Sequence, residues 1–181
     1  MRTVGDEIQS VDITLKSRTK HMSSILSWIK FIISLIVVIF IFRFVFGITI
    51  IDGNSMNPTY DNRDVVLTSH LFYKVERNDV VIVKNQSGFN IIKRIIALPG
   101  ETVRIEGGIV YVNGNPVKEP FTTGTSNDMP ETKVEKGSYF IMGDNRAPGE
   151  SLDSRSTEIG QISREAIIGE TMISIIPFGI R

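Results

Sequence analysis

At 181 residues, with 20 Lys and Arg against 20 Asp and Glu, the chain has room for one domain plus an anchor and little more. Zero net charge argues against a nucleic-acid partner held on a broad basic surface. The absence of cysteine excludes disulfides, thiolate metal sites and a cysteine nucleophile.

In chain order, residues 1–24 are expected to form a cytoplasmic tail. From 25 to 51 the sequence reads ILSWIKFIISLIVVIFIFRFVFGITII, interrupted only by Lys30 and Arg43. A helix needs about 20 mostly apolar residues to cross the hydrocarbon of a bilayer. Residues 28–46 supply them if Lys30 and Arg43 snorkel to the two faces. A buried core helix, apolar all round, would need a much larger protein to cover it. The run is longer than a signal-peptide core and no A-x-A-like site follows it. Residues 25–47 therefore read as an uncleaved transmembrane signal-anchor. The flank carries Arg2, Lys16, Arg18, Lys20 and Lys30, which places the N-terminus in the cytoplasm and residues 48–181 outside the cell membrane.

Beyond the anchor the pattern is one of short apolar strands and turns. Residues 79–84 (DVVIVK) and 91–98 (IIKRIIAL) are rich in valine and isoleucine, joined by Asn85-Gln86-Ser87-Gly88. Residues 102–105 and 109–112 flank Glu106-Gly107-Gly108 as a hairpin. Asn113-Gly114 marks another turn, residues 139–142 a further strand, and the polar stretch 117–136 a surface excursion. The expected fold class is mainly β, after one transmembrane helix.

Four clusters can carry chemistry: residues 53–59 (GNSMNPT), 77–81 (RNDVV), 91–101 (IIKRIIALPGE), and 142–146 (MGDNR) followed by 151–155 (SLDSR). Each alone has a plain reading: a turn, a strand start, a polar strand residue, a loop held by Asp–Arg pairs. His21 and His70 fall in no metal-ligand spacing, so zinc chemistry and a Ser-His-Asp arrangement are disfavoured and no metal or cofactor is expected. A serine nucleophile then needs a carboxylate or a neutral lysine as its base. A free lysine titrates near 10.4, so fewer than about one in a thousand is neutral at pH 7. Lowering that pKa by about 2–3 units costs the charged form roughly 3–4 kcal/mol, which burial among apolar groups can supply. Lys93, among Ile91, Ile92, Ile95 and Ile96, has the most apolar surroundings of any lysine after the anchor. Strand alternation puts Ile91 and Ile95 on its face.

With these clusters in this order after one apolar span, the sequence resembles the bacterial type I signal peptidases of the compact, single-span Gram-positive kind. The resemblance covers most residues from Trp28 onwards. It implies a membrane-bound serine endopeptidase with a signal-peptidase-like β-rich catalytic domain, which removes signal peptides from secretory preproteins after small-x-small motifs. Ser55 matches the nucleophile and Lys93 the general base. Met56 matches the residue beside the nucleophile, near the substrate groove. Ser151 matches the serine that hydrogen-bonds and orients the lysine. Asp144, Arg146, Asp153 and Arg155 match a supporting charged network, and Arg94 would be structural. The Ser55 main-chain N–H would be one oxyanion donor. The expected partners are preproteins and the lipid bilayer, which a tether of about six residues between Phe46 and Gly53 would keep close to Ser55.

Two positions depart from the family's pattern. Gly53 stands where some relatives have a serine that completes the oxyanion hole, leaving the second donor unassigned. The spacer Ala147-Pro148-Gly149-Glu150 is longer than usual, and a bulged loop is expected there. Two rivals are disfavoured. A self-cleaving repressor of the Ser/Lys type would have a DNA-binding domain and no span. A non-catalytic membrane-anchored homologue acting as a binding or assembly factor would have lost Ser55 or Lys93.

Overall fold

The computed structural model describes residues 4–71, 74–84 and 88–179, with the backbone alone for 4–23. It divides into two compact units, residues 1–44 and 45–181. The first is a single helix, α1 (Val4–Val45). No glycine or proline occurs between Gly5 and Gly47, so nothing interrupts backbone hydrogen bonding over that length. The helix therefore starts well inside the stretch expected to be a tail. Its segment Ser24–Val45 has 22 residues, about 33 Å at the helical rise and long enough for a bilayer core. Trp28, Phe40 and Phe42 are each about 60% exposed, so the apolar circumference is left for lipid rather than protein.

The second unit is built from antiparallel strands. Chain order runs β1 (Phe46–Ile50), β2 (Val65–Ser69), β3 (Val80–Lys84), β4 (Asn90–Ala97), β5 (Thr102–Glu106), β6 (Ile109–Val112), β7 (Asn115–Pro116), β8 (Met129–Lys133), β9 (Ser138–Met142), β10 (Ile162–Ser163) and β11 (Ile167–Ile176). Seven form one sheet in the order β1-β2-β11-β3-β4-β9-β10, and four form a second, β7-β6-β5-β8. The expected mainly-β fold is what the chain adopts. The valine-rich and isoleucine-rich runs become β3 and β4, the central pair of the large sheet, with Val81 opposite Lys93. Val80, Val81, Ile82 and Val83 are all buried, because both faces of the sheet are covered at this point. On one face lie Val81, Val83, Ile95 and Ile141; on the other, Val80 and Ile92 meet Ile51, Met56, Tyr60 and Val66.

Three features differ from expectation. Phe46 and Gly47 belong to β1 rather than to the helix. The polar excursion contains β8, a mostly exposed edge strand whose polar side chains give no apolar alternation. The longest strand, β11, escapes a period-2 reading because bulges at Thr171/Ile173 and Ser174/Ile176 interrupt its alternation.

Candidate active site

The nucleophile candidate sits in a turn that the core holds from below. Beyond β1, Ile51 is tied at both ends: its N–H donates to the Asp64 carbonyl and its own carbonyl accepts from Arg63 N–H. Gly53 follows at φ +99°, a conformation that residues with a Cβ rarely adopt. Its N–H donates to Asn62 Oδ1 at 3.0 Å. The chain then turns through Ser55, closed by Asn57 N–H to Asn54 O and Tyr60 N–H to Met56 O. Met56 is fully buried among Ile51, Tyr60, Val66, Val80 and Ile92. Met56, expected near the groove, packs its thioether into the core beneath the turn, while Ser55 beside it is half-buried.

The base candidate arrives from the middle of β4. Lys93 is 3% exposed, and its Nζ donates to Ser55 Oγ at 2.7 Å and to Ile92 O at 2.8 Å. Burial pulls its pKa from 10.5 down to about 8; Asp153 and Asp144 push it back up, and Arg155 lowers it further. At pH 7 about one lysine in ten is then neutral, against fewer than about one in a thousand in water.

Lys93 also marks the point where β4 loses a neighbour. Residues 90–94 pair with β3 on one side, whereas β9 pairs on the other side only from Arg94 onwards. The main chain just before Lys93 therefore has one edge that β9 does not occupy. A groove opens there, lined by Ile50, Asp52, Ser55, Ile92, Lys93 and Leu152.

Behind the pair lies a network of buried charges. Arg94 Nε and Nη2 grip Asp144 at 2.8 and 2.5 Å, and Thr59 Oγ1 donates to the same carboxylate at 2.5 Å. Asp144 thus joins the residue after Lys93 to the turn carrying Ser55, and Phe121 stacks on the Arg94 guanidinium at 3.9 Å. Arg155 binds Asp153 through Nε and Nη2 at 2.9 and 2.7 Å. Asp153 also accepts from Gly143 N–H at 2.9 Å. Burial would raise its pKa, but these donors outweigh burial and hold it below the usual carboxylate range.

Ser151 is placed differently from expectation. Its hydroxyl donates to Asp153 Oδ2 at 2.7 Å, while Lys93 spends its hydrogen bonds on Ser55 and Ile92. The carboxylate, a charged acceptor, makes this a charge-assisted hydrogen bond that fixes the Ser151 hydroxyl on Asp153. Asp153 bears on Lys93 through its charge. The spacer forms the expected exposed bulge, closed by Glu150 N–H to Ala147 O, with Gly149 at φ +85°.

Three residues escaped the sequence reading. Thr59 stood in a marked cluster without a role. Glu119, in the supposed surface excursion, pairs with Arg146 through two bonds of 2.6 Å. Gly143 lies so close to the Ser55 carbonyl oxygen and to Ser151 Oγ that a Cβ would overlap both.

The family model described as signal peptidase, peptidase S26, matches residues 25–176. Signal peptidase I S of Bacillus subtilis (strain 168) is 34% identical over 171 residues, spanning 86% of this chain and 91% of its own length. Signal peptidase I of Bacillus amyloliquefaciens is 32% identical over 178 residues, 90% of this chain and 94% of that one. A crystal structure of a signal peptidase I from Enterococcus faecalis is 27% identical and covers 55% of this chain and 98% of its own, with a TM-score of 0.49.

Proposed function

Because the chain belongs to the signal peptidase family, peptidase S26, we propose that Ser55 and Lys93 form the dyad with which this serine endopeptidase removes signal peptides. The observation that carries the reading is the 2.7 Å approach of Lys93 Nζ to Ser55 Oγ in a buried setting. With the lysine neutral, that hydrogen bond reverses: the amine accepts the hydroxyl proton as Oγ attacks the scissile carbonyl. The resulting ammonium then protonates the leaving amine, releasing the new N-terminus. A water activated by the same lysine resolves the acyl-enzyme. The Ser55 N–H is one donor for the oxyanion. Gly53 offers no hydroxyl for the second, and its own N–H is engaged by Asn62.

An extended substrate fits beside β4, where residues before Lys93 keep an edge that β9 leaves uncovered. Main-chain pairing there gives sequence-tolerant affinity, as a protease for many preproteins requires. The small-x-small preference carried by the resemblance completes the reading. The chain is a single-span membrane protein whose apolar helix Ser24–Val45 precedes β1. The basic N-terminal flank supports a cytoplasmic N-terminus and an extracytoplasmic catalytic unit.

Processing of a preprotein by the full chain in detergent tests this reading. Replacing the small residue at −1 or −3 with Phe or Lys should suppress cleavage, as should Ser55→Ala. Unselective cutting would remove the small-x-small assignment, and cutting by Ser55→Ala would remove the dyad.

A further inference from the structure

Glu119 belongs to none of the four clusters, yet it supplies a counter-charge at the back of the site. Its side chain is 9% exposed, that of Arg146 3%. Both guanidinium ends of Arg146 are used on it, Nη1 to Oε2 and Nη2 to Oε1. The remaining nitrogen, Nε, donates to the Gly143 carbonyl at 2.8 Å. Arg146 is thereby held by Glu119 at one side and itself holds the Gly143–Arg146 turn at the other.

That turn carries the contacts which frame Ser55. Asn145 N–H donates to the Ser55 carbonyl at 3.0 Å, and the Gly143 Cα packs against that same oxygen. The segment bearing Glu119 is laced to the turn further on: Thr123 N–H donates to Asp144 O, and Arg146 N–H donates to Thr123 O at 2.7 Å. Gly124 comes so close to the Ala147 backbone that a Cβ would meet it at 2.7 Å.

We propose that Glu119 is a positioning residue for the reaction, acting through Arg146 to hold the Gly143–Asn145 backbone that fixes the Ser55 carbonyl and so the aim of the nucleophile. The proposal rests on Ser55 being that nucleophile. Glu119 touches neither Ser55 nor Lys93. The charges that act on the lysine are Asp153, Arg155 and Asp144, so the loss of Glu119 acts on the placement of the attacking oxygen. A misplacement of about 1 Å can lower a rate a hundredfold, so the effect belongs in kcat rather than KM.

The test compares Glu119→Gln, Glu119→Asp and the parent as full chains in detergent, with kcat and KM on a preprotein, the pH profile of kcat/KM, and thermal melting. The expected result is a fall in kcat of about tenfold or more for Glu119→Gln, KM within about twofold, an unmoved acid limb and partial recovery in Glu119→Asp. If Glu119→Gln melts below the assay temperature, the double variant Glu119→Leu with Arg146→Met is read instead, since apolar pairs often replace buried ion pairs without loss of stability. A kcat within about twofold of the parent in the folded variant overturns the proposal and leaves Glu119 as scaffold only. A moved acid limb overturns it too, by placing Glu119 in the lysine's electrostatics. Ser55→Ala run in parallel separates the two questions: cleavage there refutes the nucleophile, whatever Glu119 does.

Discussion

Arg94 and Asp144 are joined by two charge-assisted hydrogen bonds, 2.8 and 2.5 Å long, with the carboxylate fully buried. Arg94 adjoins Lys93, and Asp144 also binds Thr59, four residues beyond Ser55. One ion pair therefore sets the register between the strand that carries Lys93 and the turn that carries Ser55. Removing one partner strands the other charge out of water, which costs about 3–5 kcal/mol. Asp144→Ala should lower stability by about that amount and remove cleavage, as read by chemical denaturation and preprotein processing. A change under about 1 kcal/mol would show that the pair does not bear on the fold.

Gly143 gives a steric counterpart. A methyl group there meets the Ser55 carbonyl, which is backbone and cannot swing away, as well as Ser151. Gly143→Ala should cost about 1–3 kcal/mol of stability through overpacking and reduce kcat/KM at least about tenfold by moving Ser55, the proposed nucleophile. Thermal melting and steady-state kinetics measure the two effects separately.

Much of this site was legible in the residues themselves. Ser55 and Lys93 stand out because a serine protease without a suitable histidine has few bases to choose from, and because isoleucines surround one lysine. The span and strands β3 and β4 show through strong local pattern. The rest depends on contacts between distant parts of the chain. Thr59 meets Asp144 across 85 residues and Glu119 meets Arg146 across 27, and no local periodicity reports such a meeting. Ser151 illustrates the same limit: its place in a motif could not reveal that Asp153, two residues on, accepts its hydrogen bond.

The low pKa of Lys93 has two consequences in pH. In the proposed role of base it must be neutral, so kcat/KM should rise from pH 6 towards 9 with an acid limb near 8. For stability, the folded value of about 8 lies below the unfolded 10.5. Between these pH values the unfolded chain binds more protons, so stability gains with rising pH; below 8 the full burial penalty is present. Lys93→Met should therefore be inactive yet more stable than the parent at pH 7, by up to about 3 kcal/mol. That gain should shrink towards pH 10.5, as followed by denaturation at several pH values.

Ser174 lies in β11, fully buried, and its hydroxyl has no hydrogen-bond partner among the described residues. An unsatisfied buried hydroxyl costs about 1–3 kcal/mol. Ser174→Ala should raise stability by about 1 kcal/mol and leave cleavage unchanged, as shown by a denaturation midpoint and a processing assay.

The central claim is that Ser55 and Lys93 act as one chemical unit across their 2.7 Å contact. It is tested most directly by single-turnover cleavage of a preprotein by the parent, Ser55→Ala and Lys93→Ala, with folding of each confirmed by melting. The dyad predicts that each variant falls below about a thousandth of the parent rate, and that the double variant is no worse than either alone. Cleavage by folded Lys93→Ala at a rate near the parent's would contradict it, because some other group would then be taking the Ser55 proton.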